Sequence, residues 1–385
     1  MSQISKQIVK KLRMILGEGH FPLHEPIFRG NEKCYVEDCL NSSYVSSVGA
    51  YVDTFEKKLA DFTGASYAVT VINGTAALQI SLKIAGVKQN DEVLVPGMTF
   101  IATPNAVSYL GAFPHFVDIE EKTLGLDPHA LREWLLSITE YSSNYYRNKI
   151  TGRRIKALVP MHTFGHPVDI EGLLSVAHDF NLELIEDAAE SLGSFYKGKH
   201  TGTFGLCGAI SFNGNKIITT GGGGAILTND EKLAKYAKHI TTTSKISHKW
   251  EYIHDEIGYN FRMPNLNAAL GCAQIENLPK FLNSKRKLFD LYKNNLSDVD
   301  VNIFKEPKNC KSNYWLQTLV LSEYTSNQRD NILEAMNNSG LVARPPWKLI
   351  NELDPYKNCP SSPLPISQNM TKRLINIPSS AGIAL

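Results

Sequence analysis

The chain has 385 residues, 40 basic and 38 acidic, for a formal net charge of +2. That length points to two or three domains, and 43% hydrophobic with 20% charged residues describes a chain that buries a large core. The composition excludes a disordered tail, a coiled coil or a collagen, and the near-neutral balance leaves no electrostatic footprint for nucleic acid.

Residues 1–20 contain no uninterrupted apolar stretch and no small-residue cleavage site, so no signal peptide is expected. Cys34, Cys39, Cys207, Cys272, Cys310 and Cys359 form no CxxC pair, which fits a reduced, cytoplasmic protein better than a disulfide scaffold. Tyr67–Val71 reads as a strand and Thr75–Ala85 as a helix. Val93–Val117 then runs for 25 residues without a formal charge, long enough to span a bilayer. Pro96, Gly97, Pro104, Gly111 and Pro114, with Thr99, Thr103, Asn105 and Ser108 between them, would leave backbone groups unsatisfied in lipid. The run therefore reads as buried strand, helix (Ile101–Leu110) and strand (His115–Asp118), enclosed by protein, and no membrane contact is expected.

Pro128–Ser137 reads as a helix. The basic cluster Lys149, Arg153, Arg154 and Lys156 reads as a solvated linker. Strands follow at Lys156–Pro160, Leu182–Ile185, Ala209–Phe212 and Ala225–Thr228, with helices at Ile170–Phe180 and Glu231–Ile240. Short apolar runs separated by amphipathic helices predict an α/β fold: a mainly parallel central sheet flanked by helices. From Pro264 the texture changes to a long helical pattern over Leu266–Leu296, a strand at Tyr314–Leu321, a helix at Asn327–Asn337 and a proline-rich tail. The expected organisation is an N-terminal helical arm (1–25), a large α/β domain (26–264) and a smaller C-terminal α+β domain (265–385).

Ligands of parallel sheets bind at the carboxyl ends of the strands, so the residues just after each strand carry the chemical argument. Asn73-Gly74-Thr75-Ala76 follows the first strand. A small turn feeding a helix exposes N–H groups and the positive end of the helix dipole, which suits a phosphate. The same residues also suit an ordinary turn with a threonine cap. Thr99-Phe100 follows the second strand, where the aromatic ring could stack on a planar cofactor or belong to the core. Met161-His162-Thr163-Phe164-Gly165-His166-Pro167 carries two histidines at i, i+4. Gly165 and Pro167 argue against the helix a metal site would need, so no metal is expected and the histidines read as structural or substrate-lining.

Glu186-Asp187-Ala188-Ala189-Glu190 ends a buried strand with acids, and a buried acid needs a cationic partner such as a metal or a protonated pyridine nitrogen. Strand alternation sends Glu186 and Asp187 to opposite faces without choosing between them. Ser211-Phe212-Asn213-Gly214-Asn215-Lys216 is followed by four glycines, Gly221–Gly224. Lys216 there could act as an amine nucleophile, and the glycines imply close backbone approach or positive φ.

Taken in order, these segments resemble the fold-type-I pyridoxal 5′-phosphate (PLP) enzymes. More narrowly, they resemble the DegT/DnrJ/StrS family of nucleotide-sugar aminotransferases, from about Pro26 to Ser380. Pro96–Thr103 and Gly258-Tyr259-Asn260-Phe261-Arg262-Met263 add to the likeness. The resemblance implies that Lys216 holds the cofactor covalently and moves the substrate proton, and that Asp187 pairs with the pyridine nitrogen. It further implies that Phe100 stacks on the ring, that Gly74, Thr75 and Ser211 hold the phosphate, and that Glu190 lies near the ring hydroxyl. Asn260 matches a residue that a neighbouring subunit gives to the phosphate, so a homodimer with shared active sites is expected. His166, Arg262 and Tyr314 are candidate substrate residues, with Arg344 and Trp347 as further lining candidates, and His166, Tyr314, Arg344 and Trp347 suit packing equally well.

The implied reaction moves an amino group from L-glutamate, leaving 2-oxoglutarate, to C4 of a nucleotide-linked keto sugar. Relatives with histidine in place of the lysine act as dehydratases, and Lys216 argues against that chemistry. Residues 213–221 look most like the branch acting on UDP-4-keto-6-deoxy-N-acetylglucosamine, which supplies legionaminic acid or bacillosamine-type sugars. The alternatives are another dTDP-, GDP- or UDP-keto sugar, or a cofactor-binding regulator without turnover. Family members commonly continue past Asn376–Ser380 into a final helix, so the small domain is expected to be shortened or to do without it.

Overall fold

The structure is a computed structural model that describes residues 2–385. Seven strands form the central sheet: β1 (Tyr67–Val71), β2 (Glu92–Pro96), β3 (Phe113–Val117), β4 (Ile155–Leu158), β5 (Glu183–Asp187), β6 (Cys207–Ser211) and β7 (Gly224–Thr228). Their order is β1-β7-β6-β5-β4-β2-β3. All neighbours are parallel except β7, which runs antiparallel to β1 (Val71↔Gly224) and to β6 (Ser211↔Gly224). Because β7 is reversed, its first residue lies at the same edge as the carboxyl ends of β1 and β6. The glycine run Gly221–Gly224 is thereby delivered to the turn after β1. A Cβ on Gly224 would sit 2.5 Å from the backbone of Asn73, so only glycine lets the two segments meet.

The strands are continuous apolar runs because both faces are covered. Helices Gly74–Ile84 and Glu231–Thr241 pack with Val69, Val71, Val93, Val95 and Ile226 on one face. Pro128–Ile138 and Ile170–Asp179 pack with Leu94, Leu158 and Leu184 on the other. The uncharged run resolves into β2, which is buried throughout, the helix Ala102–Ser108 and β3, with Phe100 and Tyr109 left exposed at the ends of the helix. No helix among the described residues is long and apolar enough to cross a membrane.

The 31-residue helix Asn265–Asn295 contains Pro279 and carries the chain to a three-stranded sheet of β8 (Val301–Ile303), β9 (Gln317–Leu321) and β10 (Leu374–Ile377). The N-terminal helix Gln3–Leu16 docks here: its Ile8 and Leu12 are buried with Leu288, Tyr292, Leu319 and Ile375.

Two sequence expectations need correction, and one element was not foreseen. The strand expected from Tyr314 begins only at Gln317, because Tyr314 has φ 49° and breaks the extended path. The basic cluster is a solvated linker only in part: Lys149 is exposed in a turn, but Lys156 lies in β4, nine-tenths buried, with its ammonium 3.2 Å from Glu183, and Arg153 stacks on Phe113 at 3.6 Å. A hairpin, Thr139–Ser142 with Tyr145–Asn148, precedes that cluster and was not anticipated.

Candidate active site

The carboxyl ends of β1, β5 and β6 open onto a cavity of about 250 Å³. Gly74, Thr75, Phe100, Asp187, Glu190, Ser211 and Lys216 all line it, so the structure brings seven of the expected residues together.

The turn after β1 is capped by Asn73, not by a threonine: its carboxamide oxygen accepts the Ala76 N–H at 2.8 Å. Gly74 and Thr75 occupy the first helical turn, where N–H groups have no helical acceptor. Ser211, at the end of β6, faces them. A Cβ on Gly74 would lie 2.8 Å from the Ser211 Cβ, so the glycine is what leaves an open cradle. N–H groups, a hydroxyl and a helix N-terminus together make an anion site.

At the end of β5 the alternation question is resolved. Glu186 turns away from the cavity and accepts N–H groups of Gly202 (2.7 Å), Phe204 (2.7 Å) and Gly205 (2.9 Å). The His162 ring lies 3.0 Å from it, with His162 Nδ1 taken up by the Val168 N–H. Burial opposes its ionisation, but His162 and these N–H groups hold Glu186 below the usual carboxylate range. Asp187 faces the cavity and accepts from Thr103 Oγ1 (2.6 Å) and the Ala189 N–H (3.2 Å). Burial pushes its carboxyl upward, against those hydrogen bonds and the field of Lys216. A cation in the cavity would relieve that cost.

Lys216 ends the turn after β6. Its Nζ lies 3.3 Å from Glu190 Oε1 and 4.1 Å from the centre of the Trp315 ring. The second Glu190 oxygen accepts the Phe164 N–H at 2.9 Å. Burial pushes Glu190 up to about 7, with Lys216 and the Phe164 N–H opposing. Phe164 holds φ 54° to make that bond, a conformation that is costly for a bulky residue and typical of functional sites. Phe100 stands half-exposed at the cavity mouth beside Trp347.

An amine, a buried acid short of a cation and an anion cradle therefore share one cavity, under an exposed aromatic ring. These match the reactive carbonyl, the basic ring nitrogen, the phosphate and the planar ring of PLP, so the residues present fit the cofactor.

Other expected residues lie elsewhere. His166 and Tyr314 are buried and do not line the cavity, so of their two readings packing holds and the substrate role does not. The His166 ring packs edge-on against Phe304 (4.7 Å) and Tyr314 (5.4 Å), and the Tyr314 ring stacks on Phe289 (4.5 Å). Arg262 lines a separate groove with Lys245 and His248, and its guanidinium holds the Asn260 carboxamide at 2.9 Å. Asn260 lies outside the cavity of its own chain. Arg344 is exposed and pairs through its backbone with Asn376.

Of the lining candidates outside the seven, only Trp347 reaches the cavity. Trp315, Asn213, Asn215 and Met161 were missed. Trp315 was missed by one residue: positive φ at Tyr314 turns its neighbour into the site and Tyr314 itself into the core.

His166 also yields a stability test. Both ring nitrogens are buried without a partner among the described residues, and burial lowers its pKa to about 3. The unfolded chain therefore binds a proton that the native state refuses, and stability is lost as pH falls below the unfolded value of about 6.5. His166→Phe should raise stability at neutral pH by about 1–3 kcal/mol and flatten that acid loss. Urea denaturation at two pH values checks both effects, and a destabilised variant would refute the unpaired reading.

Known proteins resemble the chain along nearly its whole length. Residues 26–385 match the DegT/DnrJ/EryC1/StrS aminotransferase family. GDP-perosamine synthase from Escherichia coli O157:H7 is 38% identical over 94% of this chain and 93% of its own. GDP-perosamine synthase from Vibrio cholerae is 34% identical over 94% of both chains. A DegT DnrJ EryC1 StrS aminotransferase from Brucella abortus superposes with a TM-score of 0.82 at 25% identity, covering 91% of this chain and 90% of its own. Cavity, fold and likeness along nearly the whole length lead to one conclusion: the chain belongs to the DegT/DnrJ/EryC1/StrS aminotransferase family and is a PLP-dependent sugar aminotransferase.

Proposed function

We propose that the enzyme transfers the amino group of L-glutamate to the C4 keto group of a nucleotide-linked 6-deoxy sugar. The products would be a 4-amino-4,6-dideoxy sugar for surface glycans and 2-oxoglutarate. The observation that carries this reading is the joint placement of Lys216, Asp187 and the Gly74–Thr75–Ser211 cradle around one cavity. When bound, PLP supplies a carbonyl that can carry an amino group and a ring that takes up electron density from the carbon losing its proton. Lys216 would hold it covalently and, once released, move the proton to and from the reacting carbon. Asp187 would balance the charge of a protonated ring nitrogen. Gly74, Thr75 and Ser211 would bind the phosphate, Phe100 would cover one ring face, and Glu190 would sit beside the ring hydroxyl.

A homodimer belongs to the reading. Asn260 lies outside its own cavity, and the segment 245–257, whose Lys245–Ile246 and Ile253–His254 pair as a hairpin, exposes Trp250, Tyr252 and Ile257, an apolar surface suited to a second copy. The partner's Asn260 would then complete the phosphate site.

The sugar nucleotide is the finer question. Residues 213–221 favour a UDP-linked N-acetyl sugar, whereas 38% identity to a GDP-perosamine synthase favours a GDP-linked one. Full-length likeness outweighs one nine-residue segment, so GDP is the nucleotide proposed and UDP the alternative. Incubating the enzyme with glutamate and GDP-, UDP- and dTDP-linked 4-keto-6-deoxy sugars tests this. Highest kcat/KM with the GDP sugar is expected. Preference for the UDP sugar would select the alternative, and no turnover with any of them would reject the class.

A further inference from the structure

Lys285, on the helix Asn265–Asn295, is fully buried, and among the described residues its hydrogen-bond partners are carbonyls and no carboxylate. Its ammonium nitrogen is surrounded by three backbone carbonyls: Trp315 (2.9 Å), Ser379 (2.5 Å) and Tyr314 (3.3 Å). Burying a long cationic side chain in this way is costly, and burial drives its pKa well down. A second cost lies beside it, the positive φ of Tyr314. A third contact fixes the same segment: the Asn313 side-chain oxygen accepts the Trp315 N–H at 2.8 Å. The Asn313 amide meanwhile donates to the carbonyls of Glu190 (2.8 Å) and Leu192 (2.9 Å). Two unfavourable features and a polar network thus converge on one residue.

That residue presses on the reactive amine. The Trp315 indole N–H donates to the Asn215 carbonyl at 2.7 Å, one residue before Lys216, and the ring face lies 4.1 Å from Lys216 Nζ. Glu190 flanks the same nitrogen at 3.3 Å. The amine is held between a π face and a carboxylate, a geometry that restrains a cation.

We infer that Trp315 is a positioning residue for the free amine of Lys216, and that Lys285 is the buried clamp that sets Trp315 in place. The amine needs such a holder whenever it is not bonded to the cofactor, because proton transfer depends on its staying within reach of the reacting carbon.

The test uses Trp315→Leu, Trp315→Phe and Lys285→Met, each shown by circular dichroism and thermal melting to be folded. The first readout is the acylation rate of Lys216 by acetic anhydride in cofactor-free full-length protein, read by peptide mass spectrometry. It needs neither substrate nor a decision on the nucleotide. Trp315→Leu should speed labelling by about 2- to 30-fold, the span of a lost cation–π contact, and Trp315→Phe should restore most of the protection. The second readout is the glutamate half-reaction of holoenzyme. Its single-turnover rate should fall in Trp315→Leu with the glutamate KM unchanged, and Lys285→Met should shift both readouts the same way although Lys285 does not itself line the cavity. Unchanged labelling and rate in a folded Trp315→Leu would overturn the proposal. An effect of Trp315→Leu with none from a folded Lys285→Met would overturn the clamp. If Lys285→Met does not fold, Asn313→Ala, which removes the other hold on the Trp315 backbone, replaces it with the same criteria.

Discussion

Lys216→Ala is expected to abolish transamination while leaving the fold intact. Lys216 is the only lysine lining the cavity among the described residues, and it sits between Glu190 and the Trp315 ring. Lys285, the other lysine buried nearby, spends its hydrogen bonds on three carbonyls and does not line the cavity. No second amine stands ready to substitute. Loss of positioned proton transfer alone costs about 10²–10⁴-fold in turnover, and loss of the covalent hold on the cofactor adds to it. The side chain is at the cavity wall, so the melting temperature of cofactor-free protein should change little. Steady-state kinetics with glutamate and the preferred keto sugar, beside a thermal melt, measures both. Full activity in Lys216→Ala would remove the residue from the chemistry.

Asp187→Asn is expected to separate turnover from cofactor binding. The carboxylate is buried, and Thr103 and the Ala189 N–H are its hydrogen-bond donors. A carboxamide keeps most of that shape but carries no charge to match a protonated ring nitrogen. Losing one preorganised charge that is stronger in the transition state costs about 3–4 kcal/mol, which corresponds to about 10²–10³-fold in rate. Cofactor affinity should fall by only about tenfold, the scale of one hydrogen bond, because the phosphate cradle and Lys216 are untouched. Titration of cofactor-free protein with PLP gives the affinity and single-turnover kinetics give the rate. Equal losses in both, or unchanged turnover, would contradict the assigned pairing.

Much of the sheet was legible because its strands are buried on both faces and read as apolar runs between amphipathic helices. The reversed strand β7 was not separable from a parallel one, since direction leaves no mark on a run such as Gly224–Thr228. Residues directly after strands were also legible: Gly74, Asp187, Ser211 and Lys216 all arrive at the cavity from strand ends. What stayed hidden was set by backbone geometry and long-range packing. Positive φ at Phe164 aims an N–H at Glu190, and positive φ at Tyr314 exchanges Tyr314 for Trp315 at the site. Neither conformation is foreshadowed by its residue type, because aromatic residues rarely adopt it. His166 was left open between a structural and a substrate-lining role, because a loop after a strand suits both, and its cover of Phe304 and Tyr314 makes it structural.

The most direct test of the account is reduction of the purified holoenzyme with borohydride, followed by digestion and peptide mass spectrometry. The account predicts the mass of the reduced cofactor on Lys216 alone, and its absence when glutamate is added first in excess. Cofactor mass on Lys285 or any other lysine, or none in a protein that still transaminates, would contradict it.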